Sequence, residues 1–259
     1  MNTSTPMLFH TLRVESSGIA GAFGINGASL IEDRAGDGIT VSRTVDEWIM
    51  PHKNLLTGVL FRPPGGAQLG QNAKVQVTLQ LHDADGNPPP NTPPLVTFRW
   101  PVPAIPALYP FPIAIPFETV RAPAAKLWQQ AEPLDKLAPQ DQAAILEQVE
   151  EVRTALVAQD NERVFDIMRY KFEDDARVNK IPFPRLREAI VIQFGFLANL
   201  VPFGKPLKPD EATFDIIAGG RVVEVARPGN TAIVFQDEER MAALKIFCAR
   251  IDGKWLIVR

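Results

Sequence analysis

With 259 residues the chain exceeds the roughly 100–150 residues of an average domain, so two compact units are expected. An apolar content of 46% beside 22% charged residues is that of an ordinary globular protein and argues against both a disordered and a membrane-spanning chain. The net charge of −3 divides into 7 basic and 9 acidic residues before Val120 and 20 and 21 from there on, so neither half carries the basic excess that binds a nucleic-acid backbone.

The one cysteine, Cys248, leaves no intramolecular disulfide and no cysteine cluster for a metal. Met1 to Phe9 lacks a basic stretch followed by an apolar run and a small-residue cleavage pattern. Residence in a reducing cytoplasm is the expectation that follows.

From Leu8 to about Trp100 short apolar runs are punctuated by Gly, Asn, Asp and Pro, the cadence of strands. Val75, Val77, Leu79 and Leu81 alternate with Gln76, Thr78 and Gln80, which places the apolar set on one face of a half-buried strand. Ile39 to Ser42 and Leu55 to Phe61 read the same way, and residues 1–100 are expected to form an antiparallel β-sandwich. Within it, Ile25-Asn26-Gly27-Ala28-Ser29-Leu30 and then Trp48-Ile49-Met50-Pro51-His52-Lys53-Asn54-Leu55-Leu56 resemble the strand, Asn-Gly turn, strand and proline-led loop of jelly-roll or Ig-like accessory modules. Those modules are similar to carbohydrate-binding sandwiches. Sugar recognition by this half would need exposed aromatic residues; Trp48 and Trp100 are the candidates, with a core position as the competing reading.

Half of the 24 prolines lie between Pro88 and Pro123, where repeatedly fixed φ angles and missing donors oppose both a helix and a central strand. An extended connector over residues 101–138 is expected, packed against a domain surface because Val102, Ile105, Leu108, Tyr109, Phe111, Ile113, Ile115 and Phe117 make it apolar. Pro103 to Pro106 also fits a PxxP docking pattern.

The third segment, residues 139–259, reads as helices followed by strands. Ile145, Val149, Val152 and Leu156 form one helical stripe over Gln140 to Gln159. A second helix is expected with Asn161 as its cap and Val164, Phe165, Met168 and Phe172 on one face. A third, from about Pro184 to Leu200, is apolar nearly all round in its latter part, which predicts a central buried helix, with a membrane-surface or partner-binding helix as the alternative; it is too short to span a bilayer. Strands are expected at Phe214 to Ile217, Val222 to Ala226, Thr231 to Phe235, Ala242 to Ile251 and Lys254 to Val258. The closing Ile251-Asp252-Gly253-Lys254-Trp255-Leu256-Ile257-Val258 resembles the last hairpin of the NTF2-like (SnoaL-like, cystatin-like cone) superfamily. That resemblance implies an α+β cone, three helices on a curved antiparallel sheet, whose pocket binds or isomerises small molecules in many members and only mediates association in others.

Chemistry-bearing motifs are scarce. Gly18 to Gly24 has the wrong glycine spacing for a phosphate-binding turn, and neither a zinc-protease pair nor a serine elbow occurs. His82-Asp83-Ala84-Asp85-Gly86-Asn87 starts like a calcium loop, but Pro88 and Pro94 replace its required glycine and glutamate, so a strand-ending turn is expected. His10, His52 and His82 all fall before the connector, leaving no histidine for proton transfer in residues 139–259. The candidate pocket residues are Tyr170 for a hydroxyl, Asp215 as a lone general base if buried, and Trp255 on the closing hairpin. Bland positions on a helix surface, an exposed strand and in the core compete with each. No cofactor and no metal site is implied, and Cys248 reads as a core residue.

The resulting functional expectation is a non-catalytic binding protein, of which partners or immunity proteins of bacterial toxins are one type. An NTF2-like small-molecule binder or enzyme of isomerase or hydrolase type is the first alternative and carbohydrate recognition the second. The Asp252-Gly253 turn predicts a hairpin that pairs Ile251 with Lys254 and Cys248 with Ile257, apolar on both faces. Helices can cover one face; the connector, the sandwich or a second copy of the chain is expected to cover the other.

Overall fold

The computed structural model describes residues 7–62, 69, 72–101, 108–119, 124–198, 205–236 and 241–259. Its chain divides into two units, residues 1–123 and 124–259, and is α+β.

Alternation builds the first unit. Strands β1 (Phe9–Ser17), β2 (Ala20–Ile25), β3 (Ala28–Asp33), β4 (Thr40–Thr44), β5 (Lys53–Phe61), β6 (Lys74–His82), β7 (Val96–Trp100) and β8 (Phe111–Glu118) form two antiparallel sheets, β4-β1-β6-β7 and β3-β2-β5-β8. The predicted β6 face is buried at Val75, Val77, Leu79 and Leu81, and β1 and β5 add Leu12, Val14, Leu56 and Leu60. Contacts such as Phe98 with Phe111, whose ring centroids are 6.4 Å apart, and the 2.8 Å bond from Ser16 Oγ to Asp33 join one sheet to the other. Trp48 and Trp100 are only 1% and 8% exposed, so neither is available to stack on a sugar, and the core reading of both holds.

Asn26 and Gly27 turn the chain from β2 to β3 with φ of 56° and 93°, the positive values that a two-residue hairpin turn demands and that Asn and Gly tolerate. The Asn26 side chain is then buried and fully used. Its amide nitrogen donates to Trp48 O (2.7 Å) and Asn54 Oδ1 (2.9 Å), and its oxygen accepts from Leu55 N (2.8 Å). Asn54 in turn binds both the N–H and the C=O of Met50.

The connector expected over residues 101–138 is not a separate stretch. Its middle forms β8, and residues from Ala124 belong to the second unit. Proline is tolerated in β8 because the strand lies at a sheet edge: Pro112 and Pro116, opposite Val59 and Leu55, share one phase of the ladder, so their missing donors point away from β5. The Pro103–Pro106 pattern lies outside the described residues.

The second unit holds α1 (Leu127–Gln130), α2 (Pro139–Val157), α3 (Asn161–Ile167), α4 (Arg169–Val178) and α5 (Phe183–Ala198). After them come β9 (Thr213–Ile217), β10 (Val222–Arg227), β11 (Asn230–Thr231), β12 (Ile233–Gln236), β13 (Met241–Leu244), β14 (Ile246–Ile251) and β15 (Lys254–Ile257). The α2 stripe is buried as predicted. The second predicted helix is broken at Met168 into α3 and α4, and its cap is Asp160, whose carboxylate accepts from Arg163 N at 2.9 Å, with Asn161 as the first helical residue. Nor is α5 a central buried helix. Phe194 is buried, but Ile192 is 55% exposed and Pro184, Arg185, Arg187 and Glu188 face water. Among the described residues no helix is long and apolar enough to cross a membrane.

The sheet is open, ordered β11-β10-β14-β15 with β9 also on β10, while β12 and β13 pair separately. The predicted Ala242–Ile251 strand breaks at Lys245 into β13 and β14. The closing hairpin has the predicted register, Ile251 with Lys254 through Cys248 with Ile257. Beyond it, Val258 and Arg259 both bond to Phe247, a bulge in which two residues oppose one. Both hairpin faces are buried in a single copy of the chain: Phe247, Ala249, Ile251 and Val258 on one, Ile246, Cys248, Trp255 and Ile257 on the other. The segment that enters the unit is tied to this sheet, Glu132 N donating to Arg250 O (2.8 Å) and Leu134 N to Gly220 O (2.7 Å). Apolar exposure therefore gives no reason for a second copy at the sheet.

Replacing Asn54 by Ala strands the Asn26 amide and both Met50 backbone groups, and is expected to cost about 2–3 kcal/mol, the penalty of unsatisfied buried polar groups. Urea denaturation of the full chain measures it; a loss below the cost of one neutral hydrogen bond would contradict the network's role.

Candidate functional site

Tyr170, Glu173, Asp174 and Arg177 recur at spacings of three, one and three, which puts them on one face of α4. Asp174 turns inward and is 3% exposed, so its charge must be matched. Oδ1 accepts from Lys126 N at 2.7 Å and Oδ2 from Arg259 Nη2 at 2.8 Å. Arg259 reaches it because the bulge after β15 redirects the last residues of the hairpin; its Nη1 also donates to Val258 O at 2.8 Å. One carboxylate thus holds α4, the start of α1 and the end of the sheet together.

The face of α4 and the residues Lys126 and Gln130 line an open cleft of about 450 Å³, to which Phe183 at the head of α5 also contributes. Tyr170 donates its hydroxyl proton to Gln130 Oε1 at 2.8 Å. Burial first, and then the negative charge of Asp174 with a smaller push from Asp252, outweighs Arg259 and Arg177 and raises the Tyr170 pKa to about 12. The hydroxyl therefore stays protonated near neutrality and serves as a hydrogen-bonding group. The side chains of Lys126, Arg177 and Glu173 have no hydrogen bond or ion pair among the described residues.

Of the three sequence candidates, the cleft contains Tyr170 alone. Asp215 is exposed on β9, opposite Glu224 in the ladder and outside the cleft. Trp255 is packed in the core, with Nε1 donating to Asp141 Oδ1 at 3.0 Å. The layer between helices and sheet is filled where it is described, by Ile145, Val149, Phe165, Phe172, Ile246 and Ile257 among others. Asp174 and Arg177 were not singled out from the sequence. The polar i, i+3, i+4, i+7 spacing with Tyr170 is the signal that could have found them.

Other reactive groups have structural roles. Burial raises the Cys248 thiol to about 12, which leaves it an inert core residue. His10 is buried against Asp46, with Nδ1 2.8 Å from Oδ1, while His52 is exposed and His82 lies at the end of β6. Asp83 closes the turn after β6 by accepting from the N–H groups of Asp85 and Asn87. Among the described residues no three His, Cys, Asp or Glu side chains gather as metal ligands. A second cleft of about 470 Å³ beside α2 is acidic, but Glu150 is paired with Arg153, whose hydrogen bond lowers its pKa, and Glu151 with Arg163. No family model, no curated protein and no solved structure matches this chain.

Two outcomes are expected. Asp174→Ala or Arg259→Ala leaves a buried charge without its partner and should destabilise the chain by about 3–5 kcal/mol, the double variant costing less than the sum; denaturant titration of all four chains gives the cycle. The folded Tyr170 holds its proton more tightly than the unfolded chain, whose tyrosine titrates near 10.0, so its stabilisation is complete below that pH and is lost as the pH rises through about 12. The chain has two tyrosines and burial raises Tyr109 as well, so phenolate absorbance of the Tyr109→Phe variant isolates this step. A Tyr170 that ionises at the ordinary value would refute the burial argument.

Proposed function

We propose that the protein acts by binding a protein partner through the cleft between α1 and α4, without catalysis of its own. The observation that carries this reading is how the cleft's groups are used. The buried carboxylate is spent on Arg259 and on Lys126 N, the tyrosine keeps its proton, and the groups left over are Lys126, Arg177, Glu173, Gln130 and the rings of Tyr170 and Phe183. Arginine and aromatic side chains around a recess are the composition of binding hot spots. A partner or immunity protein of a bacterial toxin, acting in the cytoplasm, is the form of this reading that we propose; the NTF2-like kinship of the second unit and the jelly-roll or Ig-like kinship of the first are proposals of the same standing.

A second reading, a small-molecule site, is favoured by the cleft volume of about 450 Å³, within the range of ligand pockets of roughly 300–1,000 Å³.

Gln130 is exposed, and Gln130→Trp fills the cleft from its outer wall. Affinity capture with the immobilised full chain should recover a partner that this variant loses by at least about tenfold, a shift of 1.4 kcal/mol. Equal recovery by both chains, or turnover of a small molecule by the purified protein, would count against the interaction reading.

A further inference from the structure

The cleft offers more donors than acceptors. Both carboxylate oxygens of Asp174 are engaged, and Arg259 cancels its charge. Gln130 receives the Tyr170 proton on its oxygen, and its amide protons have no partner among the described residues. Five cations of α2 to α5 are paired: Arg153 with Glu150, Arg163 with Glu151, Arg169 with Asp166, Lys171 with Asp175, and Arg187 with Glu162. Lys126 and Arg177 are not. Glu173 stands four residues before Arg177, the spacing and the order that favour a helical ion pair, yet the two remain apart. The recess thus brings together two cations without a direct partner, the single unpaired carboxylate of Glu173, a free amide and two aromatic rings.

We infer that the cleft receives an aspartate or glutamate side chain of the partner protein, held by Arg177 and Lys126, with the apolar part of the same peptide segment lying against Phe183 and the Tyr170 ring. This rests on the interaction reading and adds the partner's chemistry. A carboxylate fits the planar fork of a guanidinium with two parallel hydrogen bonds, and Lys126 adds a second charge from the opposite wall. Glu173 opposes the guest, which keeps the contact dependent on both cations.

The test uses the full chain, isotope-labelled, and follows the backbone amides of Lys126, Gln130 and Arg177 by NMR. The probes are a pool of short peptides with a central Asp or Glu between randomised neighbours, the same pool with Asn or Gln at the centre, and inorganic phosphate. The acidic pool should shift these amides and bind at least about tenfold more tightly than the amide pool, and the difference should shrink with added salt. Lys126→Gln and Arg177→Gln should each weaken acidic binding about fivefold to tenfold, and Glu173→Gln should tighten it about threefold, with thermal unfolding unchanged because all three side chains are exposed. The opposite sign of the Glu173 effect is one that a merely structural role would not produce. Equal binding of the two pools, phosphate binding as tight as the acidic pool, weakening by Glu173→Gln, or no shift with any probe would each overturn the inference. A captured partner that still binds the Lys126→Gln and Arg177→Gln chains would overturn it too, while leaving the interaction reading in place.

Discussion

A carboxylate removed from water needs an opposite charge and enough donors for its lone pairs, and Asp174 meets that need by holding three distant stretches of chain at one point. Lys126 N and Arg259 Nη2 lie 48 and 85 residues away in sequence. Because Asp174 shares a helix face with Tyr170, Glu173 and Arg177, the same contact that closes the second unit also sets the two walls of the cleft at their spacing. The pair is a demanding element, since its desolvation is repaid only by good geometry, and its two hydrogen bonds of 2.7 and 2.8 Å supply that. The chemical character of the cleft follows from it. With Asp174 neutralised, Lys126 and Arg177 outnumber the Glu173 carboxylate, and the half-buried, protonated Tyr170 supplies a hydroxyl without supplying a base.

The first unit solves its buried polar groups with neutral amides and turns. Asn26 and Asn54 bond the backbone groups of Trp48, Met50 and Leu55, and Asp33 accepts from Ser16 Oγ, Gly36 N and Gly38 N to close the turn after β3. These contacts fix loops onto sheets. The contrast with the second unit is one of capacity: amide networks are satisfied internally, whereas the α1–α4 cleft retains solvent-exposed donors and charges without a partner among the described residues.

Features with a local cause could be read from the residue order alone. The alternation of Val75 to Leu81, the Asn26-Gly27 turn, the α2 stripe and the closing hairpin's register all follow from side-chain periodicity or turn stereochemistry within a few residues, and the structure has each of them. Local cues misled where tertiary context reversed them. Proline density marks β8 as a connector, but an edge position removes the objection to proline. The apolar latter part of the α5 sequence suggests burial, yet a helix on the outside of its unit keeps Ile192 in water.

The candidate site divides in the same way. Tyr170 was visible as a hydroxyl on a helix, and the absence of histidine from residues 139–259 bounded the acid–base chemistry, because residue types are facts of the sequence. Which carboxylate would be buried was not visible. Asp174 and Asp215 are the same side chain in sequence, and only the packing of α4 against Arg259 and Lys126 N makes the first an internal anchor while an open strand leaves the second in solvent. Sequence thus determined the inventory of groups and the local geometry of the elements that carry them. Tertiary structure decided which of those groups lose water and which stay in solvent, because desolvation depends on contacts between residues far apart along the chain.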